Sequence, residues 1–163
     1  MDKNQIRIVP AGEKDAEFLY RLMNCPAILR RLNEIATTRQ DWEGAVKEWA
    51  QDDDEEDYIV FEDETPVGWL GINGLRNDGK TAYLKMAAIL PDAQGRGIGT
   101  FAIRELMLRL RRNGYKQLVL YTDKDNLVAQ ACYLKCGFQI AESLTETMSN
   151  GKTVPRYRMT ACL

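Results

Sequence analysis

The sequence predicts an α/β fold built on one mixed, mostly antiparallel sheet flanked by helices. Three observations lead there. Between residues 58 and 90, β-branched and aromatic runs are separated by turn residues, the pattern of an antiparallel meander. An amphipathic run then joins two apolar runs, Thr81–Leu90 and Gln117–Tyr121, as a β-α-β crossover whose strands should be parallel. Between the first of these strands and that helix lies Ile89-Leu90-Pro91-Asp92-Ala93-Gln94-Gly95-Arg96-Gly97-Ile98-Gly99-Thr100, a strand-to-helix turn with glycine at alternate positions.

The elements follow in order. Gln5–Val9 alternates and stops at Pro10, giving a first strand. Glu13–Asn24 places Ala16, Leu19, Tyr20 and Met23 on one helical face and must end near Cys25, because Pro26 disfavours helix before it. Ile28–Leu32 reads as a further short turn. Thr37 or Thr38 caps a second helix to about Gln51, with Trp42, Ala45, Val46 and Trp49 on one side. Asp52–Asp57 is six acidic residues, a solvated self-repelling loop or a rim attracting a cationic acceptor. Tyr58–Phe61, Val67–Leu75 and Thr81–Leu90 are strands. Gly68, Gly71 and Gly74 weaken the second or allow bulges. Ile98–Asn113 presents Ile103, Leu106, Met107 and Leu110 to the core until Gly114 stops it. After the strand Gln117–Tyr121, Asn126–Lys135 is a helix ended by Gly137. Phe138–Leu144 and Val154–Met159 close the sheet as a hairpin around Asn150-Gly151.

Composition bounds the rest. At 163 residues the chain is one domain by length, residues 1–163, large enough for a core without staples. A net charge of -2 gives no electrostatic footprint for nucleic acid or an anionic membrane. Met1–Gln5 lacks the apolar run of a signal peptide, and no stretch approaches the about 18 apolar residues of a membrane span. A soluble, cytoplasmic protein is expected. Four cysteines without C-x-x-C spacing, in a chain with no histidine, argue against a metal site and exclude every histidine-dependent triad.

The glycine turn should gather successive backbone N–H groups at the positive end of the following helix, a site for an anion such as a pyrophosphate. The dinucleotide fingerprint G-x-G-x-x-G fails, since Thr100 stands where it needs glycine, and a Walker loop would need G-K-[S/T] where this chain has Gly99-Thr100. A second constellation follows downstream: Asn126, Ala129 and Tyr133, at spacings of three and seven, fall on one helical stripe that offers an amide, a small residue and a phenol.

These residues resemble the GCN5-related N-acetyltransferase (GNAT) family. Gln94-x-x-Gly97-x-Gly99 is similar to its Q/R-x-x-G-x-G/A signature, Ile89-Leu90-Pro91 to the strand end before it, and Asn126–Phe138 to its second conserved block. The resemblance covers Thr81–Phe138. It implies the acyl-CoA N-acyltransferase fold, whose parallel fourth and fifth strands splay apart to admit the pantetheine arm of coenzyme A. It also implies acetyl-CoA as co-substrate and a primary amine as acceptor. Backbone amides of Gln94, Gly95, Arg96, Gly97, Ile98, Gly99 and Thr100 would then hold the pyrophosphate, and the Arg96 side chain could add charge. Ile89 would pair its main chain with the pantetheine amides, Asn126 would hydrogen-bond the cofactor, and Tyr133 would be the general acid for the leaving thiolate.

No base is assigned. Tyr83 or Lys85 occupies the region where some family members carry a glutamate, leaving Glu34, Asp123 or a water relay. Direct transfer is expected, because no cysteine falls in the proposed reacting positions; Cys132 is offset about 100° from Tyr133 round the helix. The alternative is a non-catalytic acyl-CoA-binding regulatory module. The acceptor should lie between Leu29–Arg39 and Thr147–Pro155. The acidic run favours a cationic small molecule such as a polyamine over a protein N-terminus, and a homodimer is left open.

Overall fold

The computed structural model describes residues 4–163; Met1–Lys3, part of the stretch read for a signal peptide, lies outside them. The element order is β1 (Ile6–Pro10), α1 (Ala16–Met23), α2 (Pro26–Leu32), α3 (Arg39–Trp49), β2 (Glu56–Glu62), β3 (Thr65–Asn73), β4 (Thr81–Ile89), α4 (Ile98–Arg112), β5 (Gln117–Asp123), α5 (Leu127–Lys135), β6 (Gln139–Thr147) and β7 (Thr153–Cys162). Seven strands form one sheet in the order β1-β2-β3-β4-β5-β7-β6, antiparallel except for the β4/β5 pair. The mixed, mostly antiparallel sheet read from the sequence is therefore present, with β7 inserted between β5 and β6.

Local chemistry explains the helix boundaries. Thr38 accepts from the Asp41 N–H at 3.1 Å while Asp41 Oδ2 accepts from the Thr38 N–H at 2.7 Å, a reciprocal cap that starts α3. Pro26 opens α2, so the segment read as a short turn is a two-turn helix, closed by Asn33 in the left-handed region at φ 55°. The first helical run begins as a 3-10 turn, Glu13–Asp15, before α1.

Helices cover both faces. One face packs Ile103, Leu106 and Leu110 of α4 against Leu118, Leu120 and Met159 of the sheet. The other packs Leu19 and Leu22 of α1, with Trp42 and Val46 of α3, against Ile59 and Trp69.

One irregularity positions everything that follows. β3 and β4 pair as Gly71↔Met86 and then Ile72↔Leu84, so Lys85 is an extra residue in β4. A bulge bends its strand. β4 pairs with β5 only from Thr81↔Gln117 to Leu84↔Leu120, and from Lys85 onward it leaves β5. The splay that the resemblance implies thus begins at the bulge.

The acidic run divides: Asp52 and Asp53 are exposed in the loop before β2, as the solvated reading expects, while the residues after them are taken into the fold. Asp54 is a bracket whose carboxylate accepts the N–H groups of Gly74 and Arg76. Glu56 and Asp57 belong to β2, and the Asp57 side chain is only 1% exposed. Lys85 Nζ lies 2.5 Å from Glu55 Oε2 and 3.6 Å from Asp57 Oδ1. The acidic side chains nearest the sheet are neutralised inside the fold, so they form neither a solvated loop nor an attracting rim.

Candidate functional site

A cleft of about 1070 Å³ opens where β4 leaves β5. Lys85–Ile89 of β4 forms one wall, and Tyr121–Asp123 of β5 with α5 forms the other. The glycine turn closes one end; α2 and the β6–β7 hairpin, including Thr147, Met148 and Ser149, close the other. The two segments expected to hold an acceptor therefore do meet at the cleft.

The turn itself is built as the spacing suggested. Gly95 and Gly97 adopt φ of +77° and +81°, backbone that side-chain-bearing residues rarely take. The first intrahelical bond of α4 is from the Phe101 N–H to Gly97 O at 3.0 Å. Ile98, Gly99 and Thr100 supply its first-turn N–H groups, and Gly97 as N-cap carries no side chain to accept them. A methyl group at Gly99 would meet only Cys132 Sγ and Ile89 Cγ1, each at 3.9 Å, so the donors face an open cradle. Unsatisfied donors at the positive helix end fit an anion.

Gln94 differs from its expected part. Its N–H donates to Pro91 O at 3.1 Å and its Nε2 to Ile89 O at 2.8 Å. It braces the turn against the end of β4, and the free donors begin at Gly95. Arg96 turns its guanidinium to Glu62 of β2, at 2.7 and 3.0 Å, so its contribution to the turn is its main chain. The Leu90 N–H is donated to Val67 O of β3, so by ladder alternation the amide and carbonyl of Ile89 point to the β5 side, where the carbonyl already accepts from Gln94 and the N–H faces the gap.

Across the cleft, Asn126, Ala129 and Tyr133 are among the residues of the α5 wall, together with Leu127, Val128, Ala131, Cys132 and Lys135. Asn126 is the N-cap of α5: its Oδ1 accepts from the Ala129 N–H at 3.2 Å, which leaves its Nδ2 as the donor. Tyr133 is half-buried, with its ring tilted against Phe138 at 5.8 Å. Burial first, and the neighbouring Cys132 second, push its phenol well above its ordinary value, so it stays protonated.

Cys132 corrects the sequence reading. The offset from Tyr133 turns it toward the glycine turn, where its Sγ sits 3.3 Å from Thr100 Oγ1 and lines the cleft. Its thiol falls to about 6, chiefly through the Cys136 thiol and then Thr100, with Lys135 and Arg104 adding attraction. The elimination of cysteine from this site on helical phase alone therefore does not hold.

The two carboxylates considered as base separate clearly. Asp123 is held by Arg156 Nε at 3.0 Å, Asn33 Nδ2 at 2.8 Å and the Arg31 guanidinium at 3.4 Å, which fills both oxygens. It ties β5 to β7 and to the end of α2. Glu34, the next residue after Asn33, lines both the main cleft and a side cavity of about 210 Å³ beneath α1 and α3. Asn150 at the hairpin tip donates its N–H to Asn33 O at 3.1 Å, so the hairpin, α2 and β5 meet around Asp123. Asn33, Arg156 and Arg31 carry no motif, and nothing in their spacing marks them.

Among the described residues, no group of three or more Cys, Asp or Glu side chains could hold a metal ion, and no helix is long and apolar enough to cross a membrane.

The sequence model of the acetyltransferase (GNAT) family matches residues 17–138. A mycothiol acetyltransferase of Saccharomonospora viridis is 42% identical over 53 residues, 32% of this chain; the match spans only 17% of that relative's length. A solved spermidine N-acetyltransferase from Vibrio cholerae, in complex with CoA and spermine, superposes with a TM-score of 0.87 at 20% identity over 97% of this chain and 95% of that one. An aminoglycoside acetyltransferase in complex with coenzyme A superposes with a TM-score of 0.81 at 19% identity, over 97% and 95% of the two chains. These likenesses establish the acyl-CoA N-acyltransferase fold.

Proposed function

The chain belongs to the acetyltransferase (GNAT) family, and from that premise we propose that it moves the acetyl group of acetyl-CoA directly to a primary amine, a small molecule or a protein N-terminus, with Tyr133 as general acid. The observation that carries this is the cleft at the β4/β5 splay. Free helix-end donors lie at one end of it, and a protonated phenol and a carboxylate lie farther along.

In this reading the N–H groups of Gly95–Thr100 hold the pyrophosphate, with Gln94 setting the turn. Ile89 offers its main chain to the pantetheine arm, and Asn126 donates from Nδ2. The amine nitrogen attacks the thioester carbon, forming the C–N bond as the C–S bond breaks. Tyr133 gives its proton to the departing sulfur, and the ammonium proton leaves through Glu34 or a water beside it. A phenol held protonated suits donation to a thiolate as charge builds on sulfur. The proposal covers the chain as a single domain, residues 1–163. It places the reaction in the cytoplasm, in keeping with four free cysteines.

The test is release of CoA thiol from acetyl-CoA across a panel of amines, with Tyr133→Phe beside the parent. The variant should lose roughly 10²-fold or more in kcat while CoA raises its Tm as much as in the parent. Unchanged turnover would remove Tyr133 as the acid. Stabilisation by CoA without thiol release from any amine would favour a regulatory acyl-CoA-binding module. Acetyl label retained on denatured protein in a thiol-sensitive linkage would replace direct transfer with a Cys132 intermediate.

A further inference from the structure

We infer that the acceptor is a primary monoamine carrying one compact apolar group, and that the side cavity beneath α1 and α3 receives that group. The inference rests on the acetyl-transfer reading and narrows it. Glu34 and Met86 line both this cavity and the main cleft, so the two adjoin at those side chains, and an acceptor whose nitrogen lies in the cleft would reach the cavity past them. Its remaining lining is Met23, Ile35, Thr37, Trp42 and Trp69.

The two indole N–H groups of that lining are already spent, and the Thr37 oxygen accepts from two donors while keeping its own O–H. Trp42 Nε1 donates to Thr37 Oγ1 at 2.9 Å, and Asn24 Nδ2 donates to the same oxygen at 2.9 Å. Trp69 Nε1 donates to Asp57 Oδ1 at 2.8 Å. Apart from that hydroxyl, what the cavity presents inward is indole surface, two thioethers and an aliphatic side chain, with the Glu34 carboxylate as its single charge. The Trp42 and Trp69 rings pack edge to face, with centroids 5.4 Å apart at 83°, and together make an apolar corner of the cavity. An apolar cavity of about 150 Å³ admits benzene, so about 210 Å³ accommodates a phenyl ring with a short linker. Methionines at two positions let the cavity adapt to shape.

The same inventory disfavours a polyamine. A second ammonium placed in this cavity would find no carboxylate there besides Glu34. Aromatic faces can stabilise a cation, but Lys85 Nζ already lies 5.5 Å from the Trp69 ring centroid and 5.1 Å from that of Trp49. Glu55 and Asp57, the acidic groups near these rings, pair with that lysine.

The experiment compares kcat/KM for phenethylamine and spermidine at saturating acetyl-CoA, read as CoA thiol release, in the parent and in Ile35→Glu. Ile35 is 57% exposed at the cavity, so a carboxylate there leaves the fold intact. The parent should prefer phenethylamine at least tenfold. Ile35→Glu should lower phenethylamine turnover about tenfold and raise that of spermidine, with KM for acetyl-CoA unchanged. Preference of the parent for spermidine, or an Ile35→Glu variant indifferent to both amines, would overturn this inference and leave acetyl transfer standing. Absence of turnover with any amine, while CoA still raises Tm, would overturn the acetyl-transfer reading and this inference with it.

Discussion

Replacing Asp123 by asparagine should destabilise the protein by about 2–3 kcal/mol and weaken its hold on the amine while sparing acetyl-CoA. The Asp123 side chain is 9% exposed and faces Arg156, itself 15% exposed. Asparagine keeps one accepting oxygen, so either the Arg156 Nε–H or the Asn33 Nδ2–H loses its acceptor, and the negative charge between two guanidinium groups is gone. Removing one partner of a fully buried pair costs about 3–5 kcal/mol. The value here falls at or below that lower end, because Arg156 retains Glu146 at 2.7 Å and Arg31, 41% exposed, retains Asp125 at 2.5 Å. Freed from Asp123, Asn33 loosens the start of the segment that carries Glu34, whereas the glycine turn lies at the other end of the cleft. Urea unfolding at fixed m gives the stability change, and steady-state kinetics separate the two KM values. A stability change under about 0.5 kcal/mol, together with lost kcat and an altered pH–rate profile, would refute the bracing role and make Asp123 the base.

Two further perturbations address the bulge that opens the cleft. Gly71→Ala places a methyl 2.6 Å from Asp57 Oδ1 and 2.7 Å from Lys85 Cε, and overpacking of this kind costs about 1–3 kcal/mol; urea unfolding unchanged from the parent would mean that β3 and β4 part freely. Asp57 is pushed up to about 8, by burial first and by Glu55 second. Between its unfolded value near 4 and 8 the native state therefore holds a proton that the unfolded chain has released, and stability falls as pH rises. Asp57→Asn should remove that fall, changing the difference between parent and variant by up to about 1.4 kcal/mol per pH unit when unfolding is measured at pH 5 and pH 7.5. A pH-independent difference would contradict it.

The parts of the site legible in the sequence are those whose geometry is set within a few turns of chain. The alternation Gly95, Gly97, Gly99 before an amphipathic run specifies an uncapped helix start, because left-handed φ and free N–H groups are local properties of backbone. The stripe Asn126, Ala129, Tyr133 follows from helical period alone, and all three line the cleft. The crossover between Thr81 and Tyr121 likewise makes β4 and β5 parallel without knowledge of what packs on them.

Tertiary structure decided what lies opposite. Whether Asp123 is a base or a brace depends on Asn33 and Arg156, 90 and 33 residues away, which strand order and hairpin placement bring to it. The fate of the acidic run was set by the register of β2, β3 and β4, in which the extra residue Lys85 and the bare backbone of Gly71 let an ammonium reach Asp57. Cys132 faces the glycine turn because α5 docks at one rotation about its axis, which periodicity leaves free. The side cavity is bordered by Trp42, from a helix, and Trp69, from a strand, which pack edge to face. Sequence alone determined the shape of the glycine turn, since an uncapped helix start is a local backbone property. The opposite end of the cleft and its side cavity were decided only in three dimensions, because their walls come from separate stretches of chain that acquire a common surface only when helices and hairpin pack on the sheet.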